Sequence, residues 1–210
     1  MNRRIAFNTL TTLTALVFLP GAISSAASQH TSLHFVGLGS AGANIIRHIK
    51  QQGIRGTYTS INWYPDSVVP DEGIHHIHHE YPRELRKCNP NGKQNIPLTG
   101  EMKTALSGEE FYVVVCGLGG FTGTSLIYPA LRLLKAEGKN YLALCTLPWQ
   151  GEGRFRNNYA LEKQQELIVF ENIRYYHHSA IYKKYDDIPA SRVFAYANEE
   201  VHNLFMQFIK

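Results

Sequence analysis

The sequence predicts an α/β domain: a doubly wound, mostly parallel sheet with helices on both faces, ending in a long helix. Three observations predict it. Strand-like and helix-like segments alternate from residue 31 to residue 210, the pattern of successive right-handed crossovers. Phe111–Cys116 and Tyr141–Leu147 are nearly continuous apolar runs, as expected of parallel strands buried on both faces. Two glycine-rich loops, at 37–42 and 117–125, each follow a strand and open a helix.

Taken in order, Leu33–Val36 reads as a first strand ending at Gly37. Ala43, Ile45, Ile46 and Ile49 then repeat at helical spacing, and Gly53 stops that helix. Thr57–Trp63, rich in β-branched and aromatic residues, is a second strand, and Ile74–His79 a third. Residues 81–100 are polar and proline-bearing, a long surface loop of the kind that often carries function. A short helix at 101–106 leads into the strand Phe111–Cys116. Leu126, Ile127, Ala130, Leu131 and Leu134 form a helical stripe ended by Gly138, and Tyr141–Leu147 is the next strand. Residues 153–171 read as helix and Ile173–His177 as a short strand. The terminal helix is expected to bury a face of Phe194, Ala197, Val201, Leu204 and Phe208.

Length and charge narrow the function classes. A chain of 210 residues suits one domain, with or without an accessory segment. The net charge of +4 is mild and the Lys and Arg residues are scattered, which argues against a nucleic-acid partner. Cys88, Cys116 and Cys145 are odd in number and lack metal-ligand spacing, so they make neither a disulfide framework nor a zinc site. Cys116 and Cys145 end apolar runs and read as buried core thiols.

Residues 1–30 stand apart. A basic start at Met1–Arg4, an apolar stretch from Ile5 to Ile23 and small residues around Ala26 and Ala27 follow the order of a secretory signal. Arg3-Arg4 loosely resembles a twin-arginine signal, although Ala6 stands where such signals usually carry Phe. The alternatives are an uncleaved membrane anchor, which would bring membrane contact, or a start codon placed too early. The organisation expected is a signal-like or anchor segment over 1–30 and one folded domain over 31–210. The protein is exported or membrane-anchored if the segment acts, and cytoplasmic otherwise.

The first glycine loop, Gly37-Leu-Gly39-Ser40-Ala-Gly42, is a GxGxxG match between strand and helix. Glycines there let backbone N–H groups approach phosphate oxygens at a helix N-terminus. Alone it suggests a dinucleotide-binding unit, which also needs an acid near the end of the second strand. That strand ends Ile61-Asn62-Trp63, and the nearest acid is Asp66. The second loop, Gly117-Leu-Gly119-Gly120-Phe121-Thr122-Gly123-Thr124-Ser125, is unexpected in a simple dinucleotide fold. Two such loops at neighbouring strand ends can grip one polyphosphate from both sides, with threonine hydroxyls as added donors.

With both loops in order, the chain resembles the FtsZ/tubulin family. That family's GGGTGTG-like loop is matched by Gly119-Gly120-Phe121-Thr122-Gly123-Thr124-Ser125, and Asn44 stands where the family carries an Asn after its first loop. Leu147-Pro148-Trp149-Gln150-Gly151-Glu152-Gly153-Arg154-Phe155-Arg156 resembles the family's segment bearing a ribose-side acid and arginine. The resemblance therefore implies a Rossmann-like GTPase domain that takes GTP or GDP, with Mg2+ as a companion. It assigns Glu152 and Arg156 to the ribose side, and Phe194 and Asn198 on the terminal helix to the guanine base. Phe194 and Asn198 are one turn apart on one face, and an Asn amide offers the donor and acceptor a guanine edge needs. Phe194 reads equally as a core residue. His177-His178 falls near where the family contacts the base.

The departures carry expectations of their own. Phe121, Ser125 and Ser40 replace family glycines, and Phe121 predicts either a crowded phosphate or a backbone angle that Phe tolerates poorly. Around the family's third-phosphate loop this chain reads Arg86-Lys87-Cys88-Asn89-Pro90-Asn91-Gly92-Lys93, where Lys87 or Lys93 would meet phosphate as point charges. The family's activating loop and second domain have no counterpart in the sequence, which predicts little or no intrinsic hydrolysis and no catalytic residue. His75-His76-Ile77-His78-His79 has same-face histidines that suit a metal, set against the plainer reading of an exposed edge strand. The function expected is a guanine-nucleotide-binding protein that regulates or co-assembles with an FtsZ-like partner, or forms a homo-oligomer. Its rivals are an NAD-binding oxidoreductase and an interaction module that has lost its nucleotide.

Overall fold

The computed structural model describes residues 32–63, 71–80, 95–108, 110–185 and 188–209. The segment 1–30, Asp66 and the stretch 86–93 lie outside the described residues. The elements are β1 (Leu33–Leu38), α1 (Gly39–Gln51), β2 (Thr57–Asn62), β3 (His75–His78), α2 (Gly100–Ala105) and β4 (Phe111–Gly117). There follow α3 (Phe121–Ala136), β5 (Tyr141–Leu147), α4 (Arg154–Glu166), β6 (Ile173–His177), α5 (Ser179–Lys184) and α6 (Ala190–Phe208).

The six strands form one parallel sheet in the order β3-β2-β1-β4-β5-β6. Strand alternation sorts the side chains into two cores. Phe35, Val113, Val115, Leu142 and Leu144 face Ile45, Ile46 and Ile49 of α1 and Val201 and Phe205 of α6. Val36, Val114, Cys116, Ala143 and Cys145 face Leu126, Ile127, Ala130, Leu131 and Leu134 of α3, with Met102 of α2. A sheet covered on both faces needs apolar residues at both parities, which is why β4 and β5 show continuous apolar runs. Among the described residues no helix is long and apolar enough to cross a membrane.

Helix α3 carries Pro129 in its interior. Proline has no N–H to give to the carbonyl four residues back. That carbonyl belongs to Ser125, and it accepts instead from the Ile96 N–H at 3.1 Å. Ile96 is buried in the same core, so the helix's missing bond becomes the tether for segment 95–99.

The terminal helix differs from expectation in its register. Its buried residues are Val193, Ala197, Val201 and Phe205, while Leu204 and Phe208 are half-buried and Phe194 is 58% exposed. Val193 and Phe194 are adjacent, and either fits a stripe through Ala197 and Val201. Packing against Ile181 of α5 selects Val193. Helix α5 itself, six residues of mixed polarity, was not expected. The helix expected over 153–171 ends at Glu166 and continues as a 3-10 turn over Leu167–Val169.

Candidate functional site

The strand order reverses between β1 and β4, and in open α/β sheets ligands bind outside the carboxyl ends of strands at such a point. Both glycine loops lie there. Leu38 and Cys116 are register partners, so the two chains leave the sheet side by side. They then touch. A Cβ on Gly39 would stand 3.0 Å from the Gly123 nitrogen and 3.3 Å from the Thr122 Cβ, and Gly39 has φ +73°. Glycine is required at that contact by both space and backbone angle. Gly37 and Gly42 lie equally close: a Cβ on Gly37 would meet the Gly42 carbonyl carbon at 2.7 Å.

Helices α1 and α3 therefore start beside one another. Their N-cap residues, Leu38 and Gly120, supply no side-chain cap. First-turn N–H groups have no intrahelical acceptor, and two helix dipoles place partial positive charge at the same spot. An anion satisfies both. Among the described residues, polar side chains around the crevice include Ser40, Asn62, Thr122 and Thr124. Asn62 Nδ2 donates to Ser40 Oγ at 3.3 Å, bracing the first loop from the end of β2. Thr124 is fully buried, and its Oγ1 accepts from the Gly119 N–H at 2.9 Å, so it holds the second loop in shape. Ser125, in place of a glycine, meets the Tyr159 hydroxyl at 3.1 Å and ties α3 to α4.

Phe121 does not need the backbone angle that Phe tolerates poorly. It is the first residue of α3, and among the described residues Asn172 alone of the non-glycines has a positive φ. Its ring packs edge-on against Trp63, centroids 4.7 Å apart at 62°.

A second group lies past β5 and β6. Glu152 ends a 3-10 turn, Gln150–Glu152, and its Oε1 accepts from the Trp149 N–H at 3.2 Å. The same oxygen is 3.1 Å from His178 Nδ1, and Oε2 accepts from Arg156 at 3.3 Å. His178 is buried, and its ring stands edge-on to Phe194 with centroids 6.0 Å apart. Arg156, Glu152, His178 and Phe194 thus form one connected row. A Cβ on Gly119 would stand 2.8 Å from the Arg156 carbonyl oxygen, so the row abuts the second glycine loop.

Burial alone would push the Glu152 carboxyl up. The His178 hydrogen bond, the Trp149 N–H, electrostatic attraction to the His178 ring and Arg156 outweigh burial and hold it below its ordinary value. A depressed carboxyl contributes stability above its unfolded pKa, and loses it as pH falls through the folded one. Glu152→Gln is therefore expected to cost about 1–2 kcal/mol at neutral pH. Thermal melts should show that gap closing as the pH falls below the ordinary carboxylate range, and a gap unchanged by acid would refute the assignment.

Of the remaining expected residues, Asn198 is half-buried one turn beyond Phe194. Asn44 is exposed on α1 and accepts from Arg47 at 3.1 Å. In the histidine run, β3 is an edge strand with His75, His76 and His78 exposed, and His76 Nδ1 is 2.9 Å from Ser60 Oγ. Among the described residues no three His, Cys, Asp or Glu side chains gather to hold a metal. A cavity of about 500 Å3 lies between α4 and β6, lined by Leu161, Ile168, Phe170 and Tyr175 among others. It includes no residue of the glycine loops.

Comparison with known proteins places this arrangement. No family model matches the chain. It is 26% identical over 192 residues to the cell division protein FtsZ of Methanothermobacter thermautotrophicus, covering 82% of this chain and 47% of that protein. An FtsZ dimer structure from M. jannaschii superposes with TM-score 0.67 at 20% identity, over 85% of this chain and 54% of that one. The GTPγS-bound protofilament of CetZ2 from Haloferax volcanii superposes with TM-score 0.60 at 15% identity, over 85% and 58%. The chain spans about half the length of the curated relatives it matches.

Proposed function

Because this chain carries a domain of the FtsZ/tubulin family, we propose that it binds GDP or GTP across the carboxyl edge of its sheet. The carrying observation is the interlocked pair of glycine loops, which brings two uncapped helix N-termini to one point. In this reading Gly37, Gly39, Ser40 and Gly42 hold the phosphates from the α1 side. Gly119, Gly120, Thr122 and Gly123 hold them from the α3 side. Glu152 and Arg156 meet the ribose, and Phe194 and Asn198 meet the base. The exposure of Phe194 supports a stacking role, since a core residue would be covered.

Intrinsic hydrolysis is slow or absent in this reading. Among the described residues, the side chains around the helix N-termini, Ser40, Asn62, Thr122 and Thr124, are hydroxyls and an amide. Such groups do not take a proton from water at neutral pH. The nucleotide then acts as a structural ligand, and the protein joins or regulates a filament of its own kind. Likeness to a GTPγS-bound protofilament supports that part.

Among the described residues an oxidoreductase reading gains nothing from the site. A dinucleotide needs a carboxylate at the end of β2, where this chain has Asn62, committed to Ser40. Titration calorimetry of the purified protein with GTP, ATP and NAD tests the proposal. Guanine nucleotide should bind and raise the melting temperature. Equal binding of all three, or of none, would sink it. Sedimentation with and without nucleotide tests assembly separately.

A further inference from the structure

We infer that the contact between Trp63 and Phe121 closes the distal end of the phosphate crevice and makes the site select a nucleoside diphosphate over a triphosphate. The inference rests on the nucleotide reading above.

The carboxyl edge of the sheet acts as a ruler. Successive strands lie about 4.8 Å apart. Phe194 leans on His178, just past β6, and Glu152 follows β5. The two glycine loops follow β4 and β1. The exposed aromatic suits a base, and the paired helix N-termini suit phosphates. The ligand therefore runs with its base over β6, its ribose over β5 and two phosphates over β4 and β1. A third phosphate would stand towards β2, and the residue just past β2 is Trp63.

Strands β2 and β4 are not neighbours, since β1 lies between them. The contact of Trp63 with Phe121 at 4.7 Å thus spans the width of β1 on the α3 side of the sheet. The pair is fixed. Trp63 is 3% exposed, and both rings pack into the core on the α3 side with Ile96 and Leu118. Phosphate oxygens need N–H or O–H donors or a cation. The Phe121 ring offers only carbon, at a loop position where a glycine would leave bare backbone. A terminal phosphate pushed against that ring loses hydration there without gaining a hydrogen bond from it.

The test compares GDP with a non-hydrolysable GTP analogue by calorimetry on the full chain, with magnesium present. The native protein should bind GDP at least about tenfold more tightly. Phe121→Ala, which keeps a good helix-starting residue and removes the ring, should bring the two affinities within about threefold. Phe121→Leu keeps an apolar wall and should keep the preference. Equal affinities in the native protein would overturn this inference while leaving nucleotide binding intact. So would an unchanged ratio in a folded Phe121→Ala. Failure of both nucleotides to bind would end both readings.

Discussion

Gly42→Ala is expected to lower the melting temperature by roughly 6–12 °C. A Cβ there would stand 2.3 Å from the Val115 carbonyl oxygen and 3.0 Å from the Gly37 carbonyl carbon. Both obstacles are backbone, in two adjacent strands, so no side-chain rotation relieves them. Overpacking typically costs about 1–3 kcal/mol, and an obstacle of this kind belongs at or above the top of that range. For a domain of this size each kcal/mol moves the midpoint by about 2–4 °C. Gly100→Ala is the control: it opens α2 and has nothing within 4 Å of its added Cβ. Calorimetric melts of the two variants decide the matter. A Gly42→Ala protein melting within about 2 °C of the native one would show that α1 can lift off β4 freely.

The opposite profile is expected of Phe194→Ala. Its ring is 58% exposed and touches His178 edge-on, so its removal should leave the ligand-free melting temperature nearly unchanged. Stacking of a base on an aromatic ring is worth about 1–3 kcal/mol. Guanine-nucleotide affinity should therefore fall roughly tenfold to a hundredfold. Binding of pyrophosphate, which has no base, should stay within a factor of about two. A large loss of stability with affinity preserved would return Phe194 to the core. A loss shared equally by GDP and pyrophosphate would place its effect on the glycine loops.

Much of the fold is legible in the sequence because burial on two faces leaves a plain mark. The runs at β4 and β5 could not be amphipathic surface strands, and β5 and β6 have the bounds their residues suggest. The glycine loops are legible for a similar reason. At Gly39 and Gly123 a neighbouring backbone stands where a side chain would be. Side-chain pairing is less visible. Nothing in the spacing shows that His178 joins Glu152 to Phe194, because the three come from separate segments that meet only when β5 and β6 pair. Lys163 sits in a polar helix and reads as a surface residue, yet its side chain is fully buried. Its ammonium is held by Asn95 at 2.8 Å and Glu166 at 2.6 Å. The register of α6 is hidden by Val193 and Phe194 being neighbours and both apolar. The consequence of Phe121 is hidden because its partner, Trp63, is remote in sequence.

Pro129 has a consequence for how this chain tolerates change. The carbonyl it leaves open on Ser125 is a fixed landing point, and Ile96 is the residue that lands. The connection from β3 to α2 thus returns to the domain at an address set by α3, independent of how many residues precede it. Lengthening a loop costs only about 0.6 kcal/mol per doubling. A connection anchored this way is free to grow, shrink or change its chemistry while the sheet and both glycine loops stay where they are.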